Sequence, residues 1–417
     1  MTRVTKRLAI ATFALMPLAS VAHALPAFAR QTGLACSACH TQHFPSLNPF
    51  GRKFKEDGYT MIGAEAKVEG ARVSIPAVLN AAFFAKIRLL KTNGTDAPGT
   101  RTTNSGELQF PDEASVFLAG RVSPNIGFIF EGQVPSKDAP MMAGFKIPFS
   151  YDVGGMRALF VPFTTDALGP AYGFELLSTG AVRNIRFLEQ ENEFSAQQYV
   201  GTGSAASGAT IALGDHRFFA NYTRWAPSHL AAAEGKASPV PSANYARLAF
   251  TPTIGSWDVG FGAQTWFGSA HVPAEREGDG QVETVDTRAW AVDGQAMGKI
   301  GKYPLGIFAS IARSDGSGEH GAHPNAFNPA PNARTATAIS AELGVIPDHC
   351  SLLLGFRAGN NGEADHSTDN SVTMGGIYHL HQNVQLQVNW TLRSGNAYTP
   401  RPMDGNRLLT ILLAAAM

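Results

Sequence analysis

The chain has 417 residues with 33 basic and 33 acidic side chains, and this zero formal charge argues against nucleic acid as a partner, because phosphate recognition leaves a basic footprint. Three cysteines rule out a disulfide-rich scaffold, and an apolar content of 44% rules out a disordered chain. Past the first twenty-odd residues no stretch reaches the roughly 18 uninterrupted apolar residues of a membrane-spanning helix, so a place in a membrane would have to be built from strands.

The N-terminus has the three zones of a secretory signal. Arg3, Lys6 and Arg7 precede the apolar run Leu8 to Ala19, and Ala22-His23-Ala24 supplies a small-residue cleavage site. A signal peptide is expected over 1–24, with the mature chain beginning at Leu25. A membrane anchor is the other reading, but the run is short and ends in the cleavage pattern.

Next comes Cys36-Ser37-Ala38-Cys39-His40, the C-x-x-C-H of c-type haem attachment. Two cysteines at this spacing suit thioether bonds to one porphyrin edge, and the adjacent His40 can serve as proximal iron ligand. One covalent haem c on Cys36, Cys39 and His40 is therefore expected. Zinc would need two more ligands at metal spacing, and there is no second C-x-x-C. A thioredoxin-like redox pair would sit in a βαβ context, and none follows. A Cys36–Cys39 disulfide remains chemically open in an oxidising compartment.

The stretch Leu25-Pro-Ala-Phe-Ala-Arg-Gln-Thr-Gly33, the motif Cys36 to His40, and then Pro45, Leu47, Gly51-Arg52, Phe54-Lys55 and Gly58-Tyr59 resemble the N-terminal haem domain of the fused monohaem cytochrome–porin family. That family includes the outer-membrane c-type cytochromes of iron-oxidising bacteria. The resemblance covers residues 25–62 in motif detail and the remaining chain in architecture. It implies a single haem, carried by Cys36, Cys39 and His40, on a small plug domain joined to an outer-membrane barrel. Arg30, Arg52 and Tyr59 fall on motif positions to which the sequence assigns no role.

From about Val78 onward apolar residues alternate with polar or small ones over stretches of about ten residues, the dyad signal of a transmembrane strand. Trp257, Val259, Phe261 and Ala263 alternate with Asp258, Gly260, Gly262 and Gln264, and Val384, Leu386, Val388 and Trp390 with Gln385, Gln387 and Asn389. A soluble sandwich would alternate too, so connection lengths carry more weight. Short turns such as 123–125, 154–155, 252–255, 347–348 and 381–383 alternate with long polar loops near 91–106, 190–206, 227–242, 270–284, 315–332, 359–369 and 395–405. Outer-membrane barrels have this asymmetry, with the short side periplasmic. The expected fold is all-β, an antiparallel outer-membrane barrel of about 16 strands with 18 open, the count being unsettled around 164–206. Tyr151, Trp225, Trp257, Trp290, Tyr378, Trp390 and Tyr398 are expected in interfacial girdles.

The residue completing the iron is open. His43 lies only three positions after His40 and is a poor trans ligand. Met61 could reach the other face and would raise the potential. His379, on the inward-facing set of its strand, is the third candidate, and a five-coordinate iron is a fourth possibility.

The sequence thus divides into a signal peptide (1–24), a monohaem cytochrome c domain (25–75) and a porin-like barrel (76–417). The haem domain is too short to wall a porphyrin alone, and inward-facing Lys86, Arg88, Gln264, Arg288 and His379 are the expected lumen walls. The expected function is electron transfer across the outer membrane, oxidising extracellular ferrous iron and passing the electron to a periplasmic c-type cytochrome. Iron as donor comes from the resemblance, and whether this amounts to a ferrous iron oxidase in the enzymatic sense is left open. Outward delivery to an extracellular acceptor and a passive porin with a structural haem plug are the alternatives. The expected partners are the redox donor, the periplasmic cytochrome and outer-membrane lipid.

Overall fold

The computed structural model describes residues 26–63, 65–71, 73–95, 104–134, 141–179, 195–230, 239–273 and 282–417. The expected signal segment lies outside them. Sixteen antiparallel strands, from Ala81–Thr92 to Arg407–Ala416, close into a barrel. Closure is made by the last strand against the first, with Leu412 opposite Arg88 and Ala416 opposite Phe84.

Two strands are broken but count once each. Met142–Lys146 and Phe149–Val153 run in line between the same neighbours, and Ala243–Phe250 continues as Thr253–Ile254 along the same partner. Pro148 and Pro252 sit in these breaks, where a residue without an amide N–H cannot continue the ladder. The stretch around 164–206 adds no strand among the described residues, because Met156–Thr165 and Ala206–Gly214 pair directly. The expected range of sixteen to eighteen resolves to sixteen.

The alternation read from the sequence is the wall of an inside-out protein. In Val384–Ser394, Val388 and Trp390 are 42% and 41% exposed, whereas Gln387 and Asn389 are 0% and 1% exposed. Leu352, Leu354 and Phe356 likewise face out, and Ser351 and Arg357 face in. Moving each such outward aliphatic or aromatic side chain from water to hydrocarbon is worth about 1.5–3 kcal/mol. A closed barrel with an apolar outer band and a polar inner face is the architecture that crosses the outer membrane, and this is where the protein resides. No helix among the described residues is long and apolar enough to cross a membrane. Short turns such as 124–125, 154–155, 301–302, 347–349 and 382–383 gather at one end, the end that is periplasmic in outer-membrane barrels generally.

The lumen is filled. Three short helices, α1 (Pro26–Thr32), α2 (Cys36–Cys39) and α3 (Pro49–Glu56), occupy its short-turn end. Helix α1 packs against Ala81–Thr92 and Glu107–Ser123, and Arg30 donates to the Ala81 carbonyl. From the long-loop end, residues 166–179 and 195–205 fold inward. Phe174 and Tyr199 are buried there, with Asn221 Nδ2 donating to the Phe174 carbonyl at 2.8 Å. The lumen is therefore not purely polar. Phe163, Tyr172, Tyr199, Tyr245, Trp266 and Phe327 join one apolar cluster inside it. Trp225, expected in a girdle, is 0% exposed and stacks on Phe327 with ring centroids 6.0 Å apart. Its strand parity points inward, and the loop carrying Phe327 supplies the apolar surface that receives it.

Candidate functional site

Cys39 and His40 of the motif face a cavity between the helical plug and the inward loop, whereas Cys36 is buried against Ala29 and does not line it. Helix α2 is a single turn, and Asn48 binds it to α3. Its backbone N–H donates to the Cys39 carbonyl at 3.0 Å, its Nδ2 donates to the Ala38 carbonyl at 3.0 Å, and its Oδ1 caps α3 by accepting from Gly51 N at 2.9 Å. Pro49 starts α3 at the position where a missing N–H costs nothing. Gly51 makes the approach possible, since a Cβ there would lie 2.2 Å from the Cys39 carbonyl oxygen. Phe28 of α1 meets Phe54 edge-on at 5.1 Å and stacks on Tyr59 at 5.1 Å.

The cavity has a volume of about 320 Å³, on the scale of small-molecule and cofactor sites. Cys39 and His40 line it, with Phe28, Leu47, Phe54 and Tyr59 from the plug, Ile129 and Lys146 from the barrel, and Leu168, Tyr172, Glu175, Leu176 and Leu177 from the inward loop. None of the three cysteines is in a disulfide. Burial pushes the Cys36 thiol up to about 11 and raises Cys39 as well. A redox C-x-x-C works through a lowered thiolate pKa, so these thiols do not have the electrostatics of a thioredoxin-like pair. Burial pushes His40 down to about 4, leaving a neutral imidazole at pH 7, the form that binds metal. Its Nδ1 is buried without a hydrogen-bond partner. Cys39 and the neutral imidazole of His40 at a largely apolar wall suit a c-type haem, and Cys36 stands one helical turn from Cys39 behind that wall. Among the described residues no three His, Cys, Asp or Glu side chains are grouped to hold a metal ion on their own.

The other candidates lie elsewhere. Neither Met61 nor His379 lines the cavity. Met61 is half-buried and uses its carbonyl to accept from Gln31 Nε2 at 2.8 Å. His379 is 6% exposed and close enough to His43 and Glu342 to feel their charges. His43 is engaged with the barrel, Nε2 lying 3.0 Å from Glu342 Oε2 and Nδ1 2.7 Å from the Phe44 carbonyl. Of the expected lumen walls, Lys86 pairs with Glu113 at 2.7 Å and Arg88 with Asp112 at 2.7 Å, while the Arg288 side chain is 61% exposed beside Asp286. Gln264 donates to Asp293 at 3.2 Å. None of these lines the cavity, whose wall beyond the plug comes from Ile129 and Lys146 of the barrel and from the inward loop, an element without a periodic sequence signal. Arg52 acquires a role as the plug's anchor, making a bidentate pair with Asp258 at 2.7 Å for each bond.

Fold and site together define an outer-membrane β-barrel of porin type whose lumen holds a helical plug. No protein-family model and no curated protein matches the chain. Among solved structures it is similar to OmpF of Salmonella typhi in complex with daunomycin (10% identity, TM-score 0.49, 84% of this chain and 100% of that one). It is also similar to the outer-membrane channel DcaP of Acinetobacter baumannii (11% identity, TM-score 0.47, 85% and 100%) and to OmpT of Vibrio cholerae (12% identity, TM-score 0.43, 84% and 100%).

Proposed function

We propose that this protein transfers single electrons across the outer membrane, taking them from extracellular ferrous iron, which becomes ferric, and delivering them to a periplasmic c-type cytochrome. The observation that carries this reading is the cavity of about 320 Å³ at the plug–loop contact with Cys39 and His40 in its wall. In it Cys36 and Cys39 would hold a haem through thioethers and His40 would bind its iron; when bound, the haem supplies a one-electron carrier. The chain's own residues do the rest. Phe28, Phe54, Tyr59, Leu176 and Leu177 line the cavity and would keep water from it, and a drier, less polar setting would raise the cost of the ferric charge and hence the potential. Asn48 and Gly51 hold the attachment turn against α3.

The family resemblance of residues 25–62 supports ferrous iron as donor. The test is to replace Cys36 and Cys39 together with Ala in the full chain and stain purified outer membranes for covalent haem. Loss of the stained band, with wild-type haem reduced on adding ferrous iron, is the expected result. A double variant that still carried covalent haem would overturn the assignment.

A second reading is favoured by the barrel itself. A closed porin-type wall with a polar inner face and an inward-folded loop is the architecture of a passive channel, the plug then being structural. Covalent haem that ferrous iron never reduces would select it.

A further inference from the structure

Among the described residues, the charged groups that wall the cavity are two lysines, Lys55 and Lys146, and one carboxylate, Glu175. Glu175 is already committed. Its Oε1 accepts from Leu176 N at 3.0 Å and Leu177 N at 2.9 Å, and its Oε2 lies 3.1 Å from Arg247 Nε. Lys55 feels the charge of Glu175, yet among the described residues it makes no hydrogen bond or ion pair with it. Lys146, 5% exposed, donates to the Tyr172 carbonyl at 2.8 Å and lies over the Tyr172 ring at 4.4 Å. An ammonium has three donors, so at least two of Lys146 remain to be met. Two like charges in one largely apolar cavity repel each other, and each is costly to bury without an anion. Buried Arg247, by contrast, has two carboxylate partners, Glu175 and Asp293.

We propose that Lys55 and Lys146 form a cradle for the two carboxylates of the haem propionates, Lys55 from helix α3 and Lys146 from the barrel wall. This rests on the haem reading above. It makes the cofactor a clamp between plug and barrel, bonded to α2 through sulfur and to the wall through Lys146. It also makes the two lysines positioning residues for the potential, since a cation beside the porphyrin disfavours the more positive ferric state.

The experiment uses detergent-purified full chain: wild type, Lys55→Gln, Lys146→Gln, the double variant, Lys55→Arg, and Lys53→Gln as control. Lys53 is a solvent-facing residue of the same helix, paired with Asp57 at 2.7 Å. Haem content is read as the pyridine haemochrome and the midpoint potential by spectroelectrochemical titration. Each Gln variant should keep covalent haem and shift the potential downward, the double variant furthest. Lys55→Arg should restore the wild-type value, and Lys53→Gln should not move it. Covalent haem with an unmoved potential in the double variant would overturn the cradle while leaving the haem reading standing. A change of iron spin state in Lys55→Gln would also overturn it, assigning the deprotonated Lys55 amine to the iron instead. Wild-type protein without covalent haem would remove the reading on which the cradle rests.

Discussion

His43 shows how a single side chain can couple plug to barrel. Burial lowers its pKa, but the charge and hydrogen bond of Glu342, helped by the Phe44 carbonyl, outweigh that and leave it raised above the usual 6.5. A histidine raised by folding contributes stability that is complete below the unfolded value, about 6.5, and is lost as pH rises through the folded one. Amide hydrogen exchange of α3, corrected for intrinsic rates, should therefore show protection that weakens above pH 6.5 in wild type. In His43→Gln this pH dependence should vanish, and the plug should be less stable at acid pH by about 3 kcal/mol, the scale of breaking a buried pair. A variant with the wild-type pH profile would show that the pair does not hold the plug. Residues of this kind were invisible in the sequence for a definite reason. His43 and Glu342 lie 299 positions apart, whereas Cys36, Cys39 and His40 fall within five consecutive positions and carry their chemistry in their spacing. Lys146 and Ile129 were missed for the same reason as Glu342, since only barrel closure brings them to the motif. Lys55 stood inside the recognised stretch, but its direction depends on the cap at Asn48.

Helix α3 is the element on which the site turns, since it bears Gly51, Arg52, Phe54 and Lys55 together. Gly51→Ala would place a methyl 2.2 Å from the Cys39 carbonyl oxygen, a backbone atom that cannot swing aside, and 3.1 Å from Leu47 Cδ2. Overpacking of this kind costs about 1–3 kcal/mol. The expected outcome is a separation of α2 from α3, seen as lower haem loading with the barrel's β-sheet circular dichroism unchanged. Normal loading would mean that the contact is not needed for attachment. Arg52→Ala acts at the other face of α3 by stripping Asp258 of its bidentate partner. Limited proteolysis within 40–62 should quicken there, and an unchanged cleavage rate would remove Arg52 as anchor. The strands were legible because a period of two with one face in lipid leaves a long, consistent record, and the turns at 154–155 and 347–348 were read from their glycines and prolines. The inward loop of 166–179 and 195–205 left no such record, because its residues are fixed by the shape of the lumen they fill.

On the scale of the whole molecule, the barrel is self-sufficient and the plug is not. Every wall strand pairs with two neighbours within 81–416, while the segment 26–62 is shorter than the roughly 40 residues below which a chain seldom holds a core alone. The plug borrows its walls: Arg121 donates to the Thr60 carbonyl at 3.2 Å, Ser150 Oγ to the Glu56 carbonyl at 3.0 Å, and Arg157 pairs with Asp57 at 2.7 Å. A Cβ at Gly127 would lie 1.9 Å from the Gly58 carbonyl oxygen, so wall and plug meet at backbone contact and leave no room for an ion path between them there. Deleting 26–62 should then leave a folded, membrane-inserted barrel whose short-turn end is open, with the inward loop the one element among the described residues that crosses its bore. In planar bilayers the full chain should be nearly silent and the truncated barrel should conduct at least several-fold more. The contrast bears directly on function, because a protein that moves electrons gains from a sealed wall and a passive channel does not. Equal conductance of the two forms would show that ions pass the seated plug, and the electron-transfer reading would then give way to a porin with a helical ornament in its mouth.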